Sequence, residues 1–575
     1  AGGGRQAVPG GARGRRGGKM KKLDDVQSAG RFQKVGLILA VAFYILSVIM
    51  VIRNHGGMSV VFSPDTKVIT IAHWQLEDGF REGISAAIEE YEKAKLAQGV
   101  KVKVRQVAVP VRGYQQWYLT QLIGGEPADI LEVMGSSDIQ NQYFTPLSPY
   151  IGEKNPWNKG TPLENMSWRE SFADDMLSAL DTAYSEFFSV CTFMHTTRVY
   201  VNMKLYEEAT GKTELPDTLT EWLEDCARLK EYGLQQERPI IPIGVRGFDK
   251  GTIGQLLSTY NSQLTTDLSD TGSPYGYGVA TGEIFRQINA SELDKDKLLE
   301  PVEVVTEIGK YFADGFSAID LEQTKYLFFA GNVAFFIDGT YNAWSMINNA
   351  PFEVKVIQIP VLDEKHPLGA KAFGRITELG SGIQGKFGIP KKTKHFDLAL
   401  DFLRFLTSWK VNQLVMVENC KWMSSLKEVE YTGAMKDFEP VTNTSHTAVT
   451  TPFTSTGTLA NRLTLQRLEN SIIHQPEDPK QYFWDDFLKA RPQLIEEIVE
   501  ANYGVMRNLW SMDGTRSALA VGAEITEPGS RENGLFMMRS NINLEGIVSR
   551  YKTVDNNVEL VEELGKLEEY GKNGN

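Results

Sequence analysis

Residues 67–137 read KVITIAHWQLEDGFREGISAAIEEYEKAKLAQGVKVKVRQVAVPVRGYQQWYLTQLIGGEPADILEVMGSS. The opening KVITIA is β-branched and apolar, the signature of a buried strand over 67–72. Phe80, Ile84, Ile88 and Tyr91 then recur at helical spacing with charges between them. VKVKVRQVAV alternates and predicts a second strand, GYQQWYLTQLIGG a helix stopped by its glycine pair, and ADILEVM a third strand. Strand, helix, strand, helix, strand predicts a parallel sheet flanked by helices, an α/β fold. In such sheets ligands sit beyond the carboxyl ends of the strands. That rule nominates His73, Trp74, Gln75 and Glu77 after the first strand, and Met134, Gly135, Ser136 and Ser137 after the third.

The pattern continues outward. TRVYVN predicts a strand and MKLYEEATGK a helix, and Thr218 or Thr220 is expected to cap the helix that follows. PIIPIGVRG is a strand; YLFFAGNVAFFIDGTYNAWSMI is an aromatic run, a Gly-Asn turn, a strand and a polar loop opening a helix; FEVKVIQIPVL is another strand. KFGIPKKTKHFDLALDFLRFLTSWKVNQLVM predicts a strand, a basic turn and an amphipathic helix. No tandem repeat of fixed period is present.

The chain has 575 residues and a net charge of −13, from 60 basic and 73 acidic side chains. A single core stops growing near roughly 250–300 residues, so at least two lobes are expected. The acidic balance argues against nucleic acid, whose phosphates need a basic face. Cys191, Cys226 and Cys420 are far apart and form no C-x-x-C pair, so they are expected to be small buried apolar residues. The seven histidines show no metal-ligand spacing, and no metal or cofactor is predicted.

Residues 35–52, VGLILAVAFYILSVIMVI, carry no charge and with their flanks reach the length of a bilayer span. Lys19, Lys21, Lys22, Arg31 and Lys34 precede this segment and only Arg53 closely follows it, which places residues 1–34 in the cytoplasm and the bulk outside. A cleavable signal peptide is the competing reading, but IMVIRNHGG offers no A-x-A site and no cysteine for lipidation. The prediction is an uncleaved single-pass anchor in the cell (inner) membrane, followed by a tether over 53–66. The Gly/Arg-rich residues 1–19 fit a disordered basic tail, an expression remnant or over-read upstream sequence, since KMKKLDD around Met20 resembles a natural start.

ITIAHWQ, GGEPADILEVMGSS, VYVNMKLYEEATGK with LPDTLTEWLEDCARL, FAGNVAFFIDGTYNAWSMI and GIPKKTKHFDLALDFLRFLTSWKVNQ, in that order, resemble the extracellular solute-binding proteins of ABC transporters, maltose-binding-protein class. The resemblance spans about residues 67–430. It implies a two-lobed periplasmic-binding-protein fold of the type II-like kind, with the first lobe over 67–190 and 364–418, the second over 191–363 and 419–510, and a C-terminal extension over 511–575. It implies a small-molecule ligand, a mono- or oligosaccharide, delivered to ABC permease subunits, with no catalysis. Carried onto matching positions, it adds His195 as a polar contact, Tyr341 as a stacking ring with Trp344 as its neighbour, and Trp422 at the return to the far lobe.

That set suits a sugar. Aromatic faces cover the apolar faces of a pyranose, and charged or amide groups take its hydroxyls. Trp74, Tyr341, Trp344 and Trp422 would supply faces; Gln75, Glu77, His195 and Asp338 would take hydroxyls. The plainer alternatives are core packing for each aromatic, a helix N-terminal charge for Glu77 and a structural role for His195. A scaffold or sensor subunit on the same fold is the second functional reading. A glycosidase is the third, but no nucleophile, phosphate or metal motif supports it.

Overall fold

The computed structural model describes residues 65–268 apart from 182, 183 and 185, then 295–442, 459–489, and 514–540 apart from 531, 535 and 538. The expected anchor at 35–52 and most of the tether lie outside the described residues. Among the described residues no helix is long and apolar enough to cross a membrane.

The strand–helix alternation of the opening stretch is realised as β1 (Lys67–His73), α1 (Phe80–Ala97), β2 (Val102–Ala108), α2 (Val111–Gly124), β3 (Ile130–Glu132) and α3 (Ser137–Tyr143). The hairpin β4 (Leu180–Asp181) and β5 (Glu186–Phe187) leads to β6 (Val190–Met194) and β7 (Thr197–Asn202). Next come α4 (Met203–Thr210), α5 (Leu219–Gly233), β8 (Ile241–Gly244), α6 (Gly251–Thr265), α7 (Lys295–Gly309) and α8 (Leu321–Phe329). β9 (Val333–Gly339), α9 (Ala343–Asn349), β10 (Val354–Ile357), β11 (Ile383–Gly388), α10 (Phe396–Leu406) and α11 (Leu459–His474) complete the elements used below.

Two sheets organise these elements into two lobes. The first has the order β2-β1-β3-β11-β6, the second β10-β7-β9-β8. β1 pairs in parallel with β2 and β3, as expected. β11 runs antiparallel to both β3 and β6, so the first sheet is mixed. The buried face of α1, with Phe80, Ile84, Ala87, Ile88 and Tyr91, covers this sheet and matches the spacing read from sequence. In the second lobe Leu256, Leu257, Tyr260 and Leu264 of α6 and Val302, Val305 and Ile308 of α7 share a core with Val199, Val201, Phe335 and Ile337. Thr218, one of the two expected caps, opens α5 by accepting from the Glu221 N–H at 3.3 Å. Cys191, Cys226 and Cys420 are all buried free thiols.

Three boundaries differ from the family-like count. β6 belongs to the first sheet, so the chain changes lobe between Met194 and Thr197, not after residue 190. Leu362 and Leu368 lie in the second-lobe core and the Phe373 N–H donates to the Gln263 carbonyl, so the return crossing comes after residue 373, not at 364. Trp422, Met423 and Leu426 pack into the first-lobe core, and the chain is back on the second lobe over 433–438, where the Phe438 ring stands 6.0 Å from that of Tyr200 in β7, so the third crossing falls between residues 426 and 433, not at 419; Leu468, Ile472, Phe483 and Phe487 then join the second-lobe core. Counting along a family pattern cannot see which backbone groups a crossing strand pairs with; here β6 takes the free edge of β11.

The helix expected over 396–416 is also broken. α10 stops at Leu406, and a π-helix, Val411–Asn419, follows. The Asn412 amide donates to the carbonyls of Leu406 and Ser408 at 3.1 Å each, taking acceptors that a continuous helix would use.

Candidate functional site

On the first lobe, β1 delivers its carboxyl end to a loop where three nominated residues meet Glu132, the last residue of β3. Gln75 Nε2 donates to Glu132 Oε1 at 2.7 Å, and the Trp74 N–H donates to Oε2 at 3.1 Å. The half-buried Trp74 ring meets Tyr114 edge-on, with centroids 5.0 Å apart. Glu77 Oε2 is buried and has no hydrogen-bond partner among the described residues. Burial pushes the Glu132 carboxyl up to about 8, and Glu77 adds to this against the two donors. Glu132 was not nominated from sequence. Its signal was a lone charge inside the apolar run ILEVM.

His73 is fully buried, behind this loop. Its ring packs edge-on against Phe80 at 5.3 Å, and Nε2 lies 2.9 Å from the Gln106 amide nitrogen. Burial lowers its pKa to about 4, so the neutral ring accepts from Gln106, whose Oε1 takes the Ser85 hydroxyl.

These two groups give opposite pH dependences. Folded Glu132 titrates near 8 against a reference of 4.5, so over that range the native chain holds the extra proton and stability falls as pH rises. Folded His73 titrates near 4 against 6.5, so stability falls as pH drops through that range. The slopes offset one another between 4.5 and 6.5, leaving Glu132 alone between 6.5 and 8. The native chain should therefore lose roughly 2 kcal/mol from this site over that upper interval, and Glu132→Gln should abolish the loss. Denaturant titrations at the two pH values check this; an unchanged slope in the variant would refute the assignment.

Beyond β3, Gly135 takes φ 101°, a conformation that only glycine adopts freely. This turns the chain so that Ser136 stands just before α3 and Ser137 starts it, while Met134 packs on the small core around Tyr114 and Tyr118. Gly135 and Ser136 are exposed, Met134 and Ser137 half-buried.

The second lobe contributes a group at the carboxyl ends of β8 and β9. Arg246 Nη1 donates to the Tyr341 hydroxyl at 2.8 Å and stands 3.6 Å from Asp338 Oδ1; the Tyr341 hydroxyl donates to the same oxygen at 3.0 Å. The Asn342 amide holds the other Asp338 oxygen. Burial raises the Asp338 pKa and is opposed chiefly by Arg246. Asp338 is fully buried, so its role is to hold Tyr341 and Arg246, not to face open space. Arg246 was missed from sequence, although the strand-end rule applied to PIIPIGVRG would have named it.

His195 lies in the crossing between the lobes. Its backbone N–H donates to Gly382, its ring meets Tyr341 edge-on at 5.8 Å, and burial lowers its pKa. Trp344 and Trp422 both reach Gly79, at the start of α1. A Cβ placed there would lie 3.3 Å from Trp344 Cβ and 3.2 Å from Trp422 Nε1. Trp344 is half-buried. Trp422 is only 1% exposed, wedged between Phe80 and Phe193, and its indole donates to the Asp78 carbonyl at 3.3 Å. The structure thus gathers Trp74, Gln75 and Glu77 around Glu132, and His195, Asp338 and Arg246 around Tyr341. Trp422 and His73 sit in the core behind them, the plainer of the two readings for an aromatic.

No curated protein matches the chain. Among solved structures it is similar to a chitin oligosaccharide binding protein (14% identity, 75% of this chain and 100% of that one, TM-score 0.48). It is similar also to the apo form of RafE from Streptococcus pneumoniae (18% identity, 74% and 98%, TM-score 0.49). Maltose-bound MalE3 of T. maritima gives 15% identity, 75% and 98%, and a TM-score of 0.48. The sequence profile of the bacterial extracellular solute-binding proteins matches residues 74–413, more than half of the 575-residue chain. That match runs from Trp74, just past β1, through every later strand and past the second-lobe group at Tyr341, and by it the chain belongs to the bacterial extracellular solute-binding protein family.

Proposed function

We propose that this receptor closes its two lobes over a carbohydrate and presents it to an ABC permease, held at the membrane by an uncleaved helix at 35–52. The carrying observation is that each lobe offers a half-buried aromatic ring beside fixed hydrogen-bonding groups: Trp74 with Gln75 and Glu77, and Tyr341 with Arg246. A sugar needs both kinds of surface. The unpartnered Glu77 oxygen is an acceptor suited to a ligand hydroxyl. Gly135, Ser136 and Ser137 contribute the far wall on the first lobe, and His195 and Trp344 the floor and rim. Met134, His73, Asp338 and Trp422 support these groups from behind. Ligand contacts made to both lobes at once bias the hinge toward closure. Tethering raises the receptor's effective concentration at its permease.

A thermal-shift panel tests this with neutral sugars, amino acids, polyamines and phosphate esters. A sugar at 100 times its Kd should add about 2.7 kcal/mol of stability. Trp74→Ala and Tyr341→Phe should each weaken that sugar at least tenfold, about 1.4 kcal/mol, while keeping the fold. A panel in which only non-sugars shift the transition would end the carbohydrate reading. For the anchor, mass spectrometry of the membrane-extracted chain should find residues 35–52 intact; a mature N-terminus beyond residue 52 would refute it.

A further inference from the structure

Glu132 holds the first-lobe loop with its side chain and its backbone together. Its carboxylate accepts the Trp74 N–H at 3.1 Å on Oε2 and the Gln75 amide at 2.7 Å on Oε1. Its backbone carbonyl accepts the Tyr114 hydroxyl at 2.7 Å, and the Tyr114 ring meets that of Trp74. Glu132 itself has no exposed surface, so it acts on a ligand only through these neighbours.

The Gln75 amide has two unlike ends, a donor and an acceptor. An ionised carboxylate only accepts, so Glu132 draws Nε2 inward and leaves Oε1 outward. Gln75 is half-buried, and its Oε1, without a partner among the described residues, is not enclosed by protein. A protonated Glu132 reverses this order. The Trp74 backbone N–H stays on Oε2, whereas the Gln75 amide turns about its last bond. The proton on Glu132 Oε1 is then given to Gln75 Oε1, and Nε2 swings outward.

Burial, with the charge of Glu77 adding to it, raises the Glu132 carboxyl to about 8, so both forms occur near neutral pH. The other groups nearby leave that balance to Glu132. From α2, the Tyr114 hydroxyl is held neutral by burial. His73, ending β1, is neutral above about 4, and the charge of Arg81 on α1 bears on His73. The partner of Glu132 in β11 is the apolar Phe387.

We infer that Glu132 is a positioning residue that sets ligand specificity, by deciding whether Gln75 offers the ligand an acceptor or a donor. The inference rests on the carbohydrate reading above. A sugar hydroxyl suits either orientation, because it both donates and accepts. A fluorine in its place cannot donate and suits only the outward Nε2.

The turn is read without ligand, by nuclear magnetic resonance of the full chain carrying isotope-labelled glutamine. The Gln75 side-chain amide signal, identified by its loss in Gln75→Met, should move with pH around a midpoint near 8. In Glu132→Gln it should stay at its low-pH position, since that side chain accepts from Trp74 and donates to Gln75 Oε1. A Gln75 signal that ignores pH in the parent, or follows it in Glu132→Gln, would overturn the inference; the parent titration decides it even if the variant folds poorly. Calorimetry with glucose, galactose and mannose, and with each hydroxyl of the sugar that binds replaced in turn by fluorine, reads the consequence. One fluoro analogue should weaken roughly tenfold against its parent sugar between about pH 6 and 9, as the donor-outward form falls to about a tenth, and Glu132→Gln should erase that dependence. Fluoro analogues that all track the parent sugar would overturn the specificity role and leave the receptor reading standing. If the amide turns but no saccharide binds, the carbohydrate reading fails and the specificity role with it.

Discussion

Replacing Arg198 by leucine should cost the chain about 3–5 kcal/mol, the usual penalty for breaking a buried ion pair by removing one partner. Arg198 is fully buried. Nη1 donates to the Thr196 hydroxyl at 2.7 Å and the Thr197 carbonyl at 3.0 Å, and Nη2 to the Glu439 carbonyl at 3.2 Å, besides the two bonds to Glu378. Glu378 also accepts from the Val441 N–H at 2.9 Å. One guanidinium therefore ties β7 to the second crossing at Glu378 and to the later segment at Glu439. Leucine fills the volume but leaves the Glu378 side chain, 18% exposed, with its charge unmatched and both segments unpinned. The melting temperature should fall by on the order of ten degrees. Arg198→Leu combined with Glu378→Gln should recover part of the loss, because the stranded charge is removed. A single variant within 1 kcal/mol of the parent would show that the pair contributes little.

Gly79→Ala should be comparably damaging, by about 2–6 kcal/mol, for two reasons that add. The residue adopts φ 92° and ψ −38°, which costs a side-chain-bearing residue roughly 1–3 kcal/mol. The new Cβ would also lie 2.4 Å from the Cys420 backbone oxygen, so backbone has to move, with overpacking typically adding another 1–3 kcal/mol. The carbonyl, the Trp422 indole and Trp344 converge on this point, so tryptophan fluorescence should shift with the loss of stability. Gly113→Ala is the control. It sits inside α2 with nothing within 4 Å of the added carbon, and should be neutral or stabilising by about 0.5–1 kcal/mol. If both alanines behaved alike, the close approach at Gly79 would not be constraining the fold.

The contrast between these two glycines shows how far a single sequence reaches. Its periodicity gave β1, α1, β2, α2 and β3 in order, because side-chain spacing follows local backbone geometry whatever lies across the core. The cap at Thr218 and the expected burial of all three cysteines were legible for the same local reason. The strand-end rule reached Trp74, Gln75 and Glu77, and the family likeness reached His195 and Tyr341, which the fold brings edge to edge.

What escaped that reading depended on distant partners. Trp422 and Asp78 are 344 residues apart, and only their contact makes Trp422 core and not a ligand platform. Arg198 and Glu378 are 180 residues apart; each alone reads as an ordinary surface charge. Glu132 is shifted because the chain packed around it removes its water, a property of the packed assembly and not of ADILEVM. From residue order alone came the alternation of elements and the chemistry available at each strand end. Which groups lose water together was settled by the tertiary structure, because desolvation and pairing are set by every element that closes around a site.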